Sequence, residues 1–343
     1  MNPYDVKRAF IQTAVSHGIA DIERAPHQTI RKLADWGCQF ARGRFQKNFF
    51  ASARSRLASE DSAYYTIIEN LVRRVNHRTL RTFGINVGYN AWTMGASMIR
   101  DREAADGYNI PWLVQFRDFS GEGALNTAAM AKAIEEGETI GIYACVITAV
   151  TPQALRESCA LAEKYPDHAF WILSDTACFS DIPDSTLTGL HNTMFVIRSD
   201  GAASRMLCAG LTGKGCLAAL YAVYDSATDI LSGRWKEGLA DSKTSFFFFL
   251  ADEHAGEEEQ RRVADYAVQE RETPSMPVFA VALFEDVLRV DRIISGEPCF
   301  LSMGDNGEAS SIGQKGVRRS GNLLSLDFLA LLRAIAPRVG YTT

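Results

Sequence analysis

The chain has 343 residues, of which 47% are hydrophobic and 22% charged; this is ordinary for a globular protein and long enough for one large domain with a helical appendage. Its formal net charge of −5 at pH 7 provides no field that attracts nucleic acids or anionic membranes, so we expect neither as a partner. No apolar run approaches the roughly 18 residues that span a bilayer, and residues 1–25 lack the apolar core of a secretion signal, so the expected location is the cytoplasm.

Residues 1–105 are predicted to form a helical N-terminal region. Apolar residues recur there at helical spacing in four segments: Asp5–Gly18, Thr29–Phe40, Ser62–Val75 and Asn90–Arg100. An exposed apolar stripe on the second segment would suit this region to docking a partner protein.

From Gly107 onward the pattern changes to short β-branched or aromatic runs that alternate with longer helical patterns. The predicted strands are Pro111–Phe116, Ile140–Thr148, Ala169–Ser174, Thr193–Arg198, Ser245–Ala251 and Val278–Phe284. The predicted helices between them are Ala128–Glu138, Pro152–Lys164, Gly215–Asp225 and Glu257–Glu270. Such alternation predicts an α/β fold with parallel strands and right-handed crossovers. We expect this part to cover residues 106–295, and residues 296–343 to form a C-terminal Gly-rich segment and a last helix.

The seven cysteines follow no short regular spacing: Cys38, Cys145, Cys159, Cys178, Cys208, Cys216 and Cys299. An odd count without a secretion signal predicts reduced and mostly buried thiols.

Several short stretches are similar to one branch of the radical SAM superfamily. They are Tyr108-Asn109-Ile110-Pro111-Trp112, the strand pattern Gly141–Ile147, the passage Ala162–Asp175, and the turns Glu297–Phe300 and Asn306–Glu308. The matches spread over residues 70–310. The resemblance implies a partial (βα) barrel of about five or six parallel strands behind the N-terminal helical region.

The chain departs from this family at three places. Family members carry CxxxCxxC after the first strand, where three thiolates hold a [4Fe-4S] cluster that binds S-adenosylmethionine (SAM); here residues 117–125 contain no cysteine. The Gly-Gly-Glu-Pro motif that meets the SAM amino group is replaced by Ala149-Val150-Thr151-Pro152. A strand expected beside adenosine is not predicted between Gly215–Asp225 and Ala227–Asp241. All three departures affect one ligand, so we expect neither cluster nor SAM chemistry, and no cofactor.

Polar residues follow most of the predicted strands, at the barrel end that faces the ligand in such folds. The predicted ligand-binding residues at this barrel mouth are Arg117, Asp118, Thr148, Ser174, Asp175, Arg198, Asp252, His254 and Glu285. They would form a pocket with acidic, basic and guanidinium groups. The alternative is that these positions are polar only because loops are solvated. No residue is assigned a catalytic role.

Two further patterns were weighed as sites. Asp252-x-His254, with Asp118, Asp175 and Glu285, has the donor atoms of a divalent-ion site, but its spacing matches no metal motif, and we predict no metal. Leu211–Gly215, which includes Lys214, would cradle a phosphate at the start of a following helix, although it lacks GxxxxGK[ST] and is better explained as a flexible crossover loop.

Two functions from different classes remain. The first is a radical-SAM-like pseudoenzyme, kept as a binding or regulatory accessory protein whose partner is another protein, an intact radical SAM enzyme being one candidate, or a small molecule. The second is a repurposed non-radical enzyme that binds a small anion or a metal at the strand ends, with Arg117 and Arg198 holding the anion and Asp175 or Asp252 with His254 supplying acid–base groups.

Overall fold

A computed structural model describes residues 3–41, 43–313 and 316–338. The N-terminal region is helical, as predicted, and its helices are α1 (Pro3–Arg24), α2 (Pro26–Phe40), α3 (Gly43–Arg56), α4 (Ala63–Arg74), α5 (His77–Ile85) and α6 (Ala96–Asp106), with a π-helical segment, Asn86–Gly95, before α6. None of the helices in these ranges is both long and apolar enough to cross a lipid bilayer.

Strands and helices alternate from residue 114 onward. The strands are β1 (Val114–Phe119), β2 (Ala144–Ala149), β3 (Ala169–Ser174), β4 (Thr193–Arg198), β5 (Leu217–Tyr224), β6 (Phe246–Ala251), β7 (Phe279–Ala282), β8 (Phe300–Met303), β9 (Glu308–Gly313) and β10 (Gly316–Asn322). The helices are α7 (Thr127–Glu138), α8 (Pro152–Lys164), α9 (Asp184–Gly189), α10 (Ala202–Gly213), α11 (Ala227–Leu231), α12 (Glu257–Glu272), α13 (Leu283–Ile294) and α14 (Phe328–Ile335), with short 3₁₀ turns at Thr176–Phe179, Arg234–Lys236 and Leu239–Ser242.

The chain divides into two compact units. The first unit contains residues 1–81 and 197–286, and the second contains residues 82–196 and 287–343. Both consist of helices and strands, so the architecture is α/β, as predicted for a partial (βα) barrel. The predicted division into residues 1–105, 106–295 and 296–343 stays a prediction.

The second unit is organised around β1. Its strands follow the order β10-β9-β8-β1-β2-β3, with β4 next to β3. β1 pairs in parallel with both β2 and β8, and β2 pairs in parallel with β3. β9 and β10 are antiparallel. The core is apolar: Phe116, Phe119 and Phe170 are fully buried. Because β1, β2, β3 and β8 are parallel to one another, their carboxyl ends lie at the same edge of the sheet.

The first unit places β5, β6 and β7 side by side in parallel. The phenylalanine run of β6 forms a buried strand, as predicted: Phe247 and Phe249 on one face are at most 1% exposed, and Phe248 on the other face is 5% exposed. Burial of both faces is typical of a parallel strand covered by helices.

The described ranges contain ten strands, not five or six. The prediction of Gly215–Asp225 as a helix is wrong, because these residues form β5. Its sequence, Leu-Ala-Ala-Leu-Tyr-Ala-Val-Tyr, is rich in helix-forming residues, and tertiary pairing with β6 overrides that preference. The other additional strands, β8, β9 and β10, lie where we predicted a Gly-rich segment. A strand therefore follows α10, where the sequence pattern predicted none.

The Gly-rich run Leu211–Gly215 does not precede a helix. It lies at the end of α10, and the chain then enters β5. A phosphate cradle uses the free N–H groups of a helix N-terminus, so this hypothesis is wrong. The prediction of a loop holds only for Lys214 and Gly215, because Leu211–Gly213 belong to α10.

Helices α1, α2 and α4 pack around a small apolar core in the first unit. Its buried members are Ile19, Ile22, Ile30, Ala34, Leu57, Tyr65 and Val72. The Tyr65 hydroxyl donates a 2.8 Å hydrogen bond to Leu57 O, so the buried phenol is satisfied. Helix α4 begins at the N-cap Ser62, whose hydroxyl accepts from Tyr64 N.

Helices α2 and α3 approach closely at Gly37. A β-carbon on Gly37 would lie 2.1 Å from two ring carbons of Phe50, which is far inside van der Waals contact. Only glycine therefore lets the Phe50 ring lie against the backbone of α2.

Candidate functional site

Strand β1 ends in a β-bulge that carries two predicted site residues. The register between β1 and β2 shifts between Phe116 and Phe119, so Arg117 and Asp118 lie in the bulge and not in a loop after the strand. Asp118 has a φ of +52°, a left-handed conformation that costs a residue with a β-carbon about 1 kcal/mol. Bulges redirect side chains and are frequent beside functional sites.

Arg117 keeps unused hydrogen-bonding capacity. Its Nη1 lies 3.9 Å from Asp118 Oδ2, and the side chains are 44% and 67% exposed, so this ion pair contributes little. Arg117 Nε is buried and has no hydrogen-bond partner among the described residues. A β-carbon on Gly304, just after β8, would lie 3.7 Å from Arg117 Nη2, which places the guanidinium beside the end of β8.

The segment after β1 is held by Asp305, and we call this arrangement the Asp305 turn (residues 120–125 with Asp305). Ser120 donates to the Asp305 carboxylate through its N–H, at 3.2 Å, and through its hydroxyl, at 2.7 Å. The Ser120 hydroxyl oxygen accepts from Glu122 N at 3.1 Å and from Gly123 N at 2.9 Å. Leu125 N donates to Asp305 O at 2.7 Å. The turn is thus closed by its own hydrogen bonds.

Glycine is required at one point of this turn. A β-carbon on Gly123 would lie 2.0 Å from Asp305 Oδ2. Because Asp305 is fixed by its bonds to Ser120, it has no simple way to move aside.

The ends of β2 and β3 use their polar groups within the fold. Ser174 is buried, and its hydroxyl donates to Ala149 O at 2.7 Å. Thr151 caps α8, accepting from Ala154 N at 3.0 Å. Thr148 and Asp175 are half-buried, and Asp175 precedes the 3₁₀ turn Thr176–Phe179 without capping it through its side chain.

The first unit carries the other predicted residues at the ends of its strands. Arg198 ends β4 and is exposed. Asp252 follows β6 and accepts from His254 N at 3.1 Å, a local turn bond. The His254 side chain is 80% exposed and lies 3.7 Å from Glu253. This pair therefore has the geometry of a solvated turn.

Glu285 lies in the first turn of α13 and influences Tyr224, which ends β5. Burial raises the pKa of Tyr224 well above its usual value, and the negative charges of Glu285 and Glu259 raise it further. Glu259 accepts a hydrogen bond from Ala227 N, and this bond is the main reason that the pKa of Glu259 is lowered. Tyr224 therefore stays a neutral phenol.

The nine predicted residues thus fall into two groups. Arg117, Asp118, Thr148, Ser174 and Asp175 belong to the second unit, and Arg198, Asp252, His254 and Glu285 belong to the first. That all nine form one ligand-binding ring stays a prediction. No three His, Cys, Asp or Glu side chains within the described ranges are grouped closely enough to hold a metal ion, and this applies also to Asp252 and His254.

The cysteines are placed as inert thiols. Cys38 is partly exposed, and the other six are buried. Burial raises the pKa of Cys159 and of Cys208 to about 12, and it also raises the pKa of Cys145 and Cys299. Because the thiolate is the form that binds metals and attacks electrophiles, these four side chains are poor ligands and poor nucleophiles near neutral pH.

A cavity of about 440 Å³ lies in the second unit. It is lined by residues of α7, including Lys132, and by the chain that leads into α14, residues 323–328. None of the nine predicted residues lines it.

Sequence reasoning missed Ser120, Asp305 and Tyr224. The run Gly304-Asp305-Asn306-Gly307 is a turn signal, but no local pattern indicates that its aspartate binds a segment near residue 120. Tyr224 was overlooked because its strand was predicted as a helix.

Comparisons with known proteins give structural neighbours only. No protein-family model and no curated protein matches the chain. Solved structures of Streptococcus suis SuiB, a radical SAM enzyme, are similar. The SuiB structure with bound S-adenosylmethionine gives a TM-score of 0.47 at 11% identity, covering 69% of this chain and 66% of SuiB, just under two thirds. The structure bound to the precursor peptide SuiA gives 0.46 at 12% identity, covering 68% and 67%.

A third structure of SuiB gives a TM-score of 0.45 at 10% identity, covering 79% of this chain and 71% of SuiB. With TM-scores below 0.5, the likeness carries no argument about function, which rests on the chain's own residues.

Proposed function

We propose that this chain is a radical-SAM-like accessory protein that binds another protein and performs no radical SAM chemistry. One observation carries this proposal. Where the family places three cluster thiolates, this chain has the Asp305 turn, whose donors and acceptors are bonded to one another. The residues there are hydroxyl, carboxylate and glycine, which lack the soft sulfur that a [4Fe-4S] cluster requires.

The cysteines elsewhere in the chain do not replace those ligands. Six of the seven are buried, and no three cysteines among the described residues are grouped closely enough to hold a metal ion together. The residues present therefore do not fit a [4Fe-4S] cluster.

The segment that replaces Gly-Gly-Glu-Pro supports the same proposal. Ala149 O accepts from the Ser174 hydroxyl, and Thr151 caps helix α8. The glutamate that would bind the SAM amino group is absent, and Ala149 and Thr151 at this position form hydrogen bonds within the protein. The presence of β5 removes one of the three departures, so the proposal rests on the cluster segment and on this motif.

Anaerobic purification followed by reconstitution with iron and sulfide tests this proposal. We expect no iron–sulfur absorbance, substoichiometric iron and no heat of SAM binding in calorimetry. A stoichiometric cluster together with SAM binding would show that the proposal is wrong.

A second candidate function is binding of a small anion at the β1 bulge. It is favoured by Arg117, whose buried Nε has no partner among the described residues, next to the strained Asp118. One anion oxygen bound by the guanidinium would satisfy this donor.

Calorimetric titration with inorganic phosphate and with sulfate tests this candidate. Binding by the natural chain that is lost in Arg117→Gln and kept in the control Arg156→Gln, an exposed arginine of α8, would support it. Equal behaviour of the three proteins would exclude it.

A further inference from the structure

Helices α2 and α3 form the most basic part of the chain, and we call them the basic helix pair (residues 26–56). This segment contains seven Lys or Arg residues and one acidic residue, a net charge of +6. In the same unit, residues 197–286 contain nine basic and fifteen acidic residues, a net charge of −6. Residues 26–56 therefore carry an excess of positive charge in a protein that is acidic as a whole.

Large apolar side chains are exposed among these charges. Trp36 on α2 is 46% exposed, and Phe49 on α3 is 50% exposed. Lys32 Nζ lies 4.8 Å from the centre of the Trp36 ring, one helical turn away. Tryptophan and arginine are the residues that most often dominate binding energy at protein interfaces.

The opposite faces of both helices are used in packing. Ile30 and Ala34 of α2 are buried in the apolar core of the first unit, and Phe50 of α3 lies against Gly37. Trp36 lies outside this apolar core and is partly exposed, whereas the Phe49 ring packs edge-on against Phe50 and is half-exposed.

From this placement, we infer that the basic helix pair is a docking surface for an acidic segment of another protein, one in which carboxylates flank a large apolar side chain. This inference rests on the proposed function and names the surface and the chemistry of the partner. The carboxylates would pair with Lys32 and Lys47, and the apolar side chain would lie on Trp36.

A protein segment fits this surface better than a longer polyanion does. Nucleic acids and anionic membranes extend their charge far beyond a single helix pair, and the rest of the chain carries −11 when the +6 of this segment is subtracted from the total of −5. That excess repels such partners over roughly a Debye length, about 8 Å at physiological ionic strength. A short acidic segment contacts the basic surface and avoids the repulsion.

Calorimetry of the full-length protein with a synthetic peptide of Glu-Glu-Leu repeats tests the inference. We expect saturable binding that weakens at least tenfold when NaCl is raised to high concentration, and no binding of a Gln-Gln-Leu peptide. No binding of the acidic peptide, or equal binding of the uncharged one, would overturn the inference. Tighter binding of oligothymidine or of phosphatidylserine vesicles than of the acidic peptide would also overturn it.

Matched variants separate the local surface from total charge. Lys32→Glu with Lys47→Glu changes the net charge by −4, and so does the control Arg156→Glu with Arg234→Glu, two exposed arginines outside the helix pair. We expect the first variant to weaken peptide binding at least tenfold, the control less than twofold, and Trp36→Ala about fivefold. Equal weakening by both charge variants would show that only total charge matters.

The outcomes distinguish this inference from the function on which it rests. A reconstituted cluster would contradict the accessory role whatever the peptide does. Loss of peptide binding in the control variant, with no cluster formed, would contradict the docking surface alone.

Discussion

The second unit buries ionisable side chains, whereas the basic helix pair of the first unit exposes them. The second unit buries Glu103 and Asp291, which are 1% and 0% exposed, and binds Ser120 through Asp305. The basic helix pair leaves Lys32 and Lys47 exposed. Burial disfavours the charged form of a carboxyl group, so the ionisation of these buried carboxyl groups changes the free energy of unfolding. An exposed charge adds little to stability and is available to a partner.

The largest expected effect is the pH dependence that Glu103 imposes. Burial raises the pKa of Glu103 to about 7, although Ile110 N and Arg338 oppose the shift. Between about pH 4.5 and 7 the folded protein binds the proton more tightly than the unfolded chain, so the free energy of unfolding falls as pH rises, by about 3 kcal/mol in total. Above the folded pKa the loss is complete.

Urea unfolding at several pH values checks this effect. Glu103→Gln, which keeps an acceptor for Ile110 N, is expected to remove most of the decline over that interval. A variant as pH-dependent as the natural chain would mean that Glu103 is ionised throughout the interval.

The next effect concerns the Asp305 turn. Asp305→Ala removes the acceptor of the Ser120 N–H and hydroxyl, and we expect a loss of about 2 kcal/mol in the free energy of unfolding. Glu122→Ala is the control, since the turn uses only the backbone N–H of this exposed residue, and it should change stability by less than about 0.5 kcal/mol. If both variants lost equal stability, the side chain of Asp305 would not be what holds the turn.

The smallest expected effect is on the stability of the basic helix pair when its exposed charges are reversed. Lys32→Glu with Lys47→Glu should change the free energy of unfolding by no more than about 0.5 kcal/mol, because both side chains are exposed. Thermal and urea unfolding of this variant and the natural chain measure the difference. A loss as large as that of Asp305→Ala would indicate that the helix pair uses its charges for folding.

Much of the fold could be predicted from local sequence. The phenylalanine-rich β6 is too short and too apolar for anything except a buried strand, and the N-terminal helices follow their apolar spacing. Strand β5 was missed because alanine and leucine favour helices and because its β conformation depends on pairing with β6. The hairpin β9–β10 was missed because its serines and glycines have weak strand preference.

The candidate site was less predictable for a related reason. Strand ends could be located, which identified Arg117 and Asp118, but the bulge that turns their backbone depends on register with β2. Ser120 and Asp305 are 185 residues apart in sequence, and no local pattern joins them. What sequence spacing conveys is periodicity along one segment, whereas this turn depends on two segments that meet only after folding.

The contact between Gly37 and Phe50 has a consequence for the kinetics of recognition. Because the Phe50 ring of α3 lies against the backbone of α2 at Gly37, the two helices are packed on one another before any partner binds. A surface that is already packed loses less conformational entropy on association than a flexible one does. The substitution Gly37→Ala would push the Phe50 ring and α3 away from α2. It would therefore weaken partner binding without changing any exposed side chain.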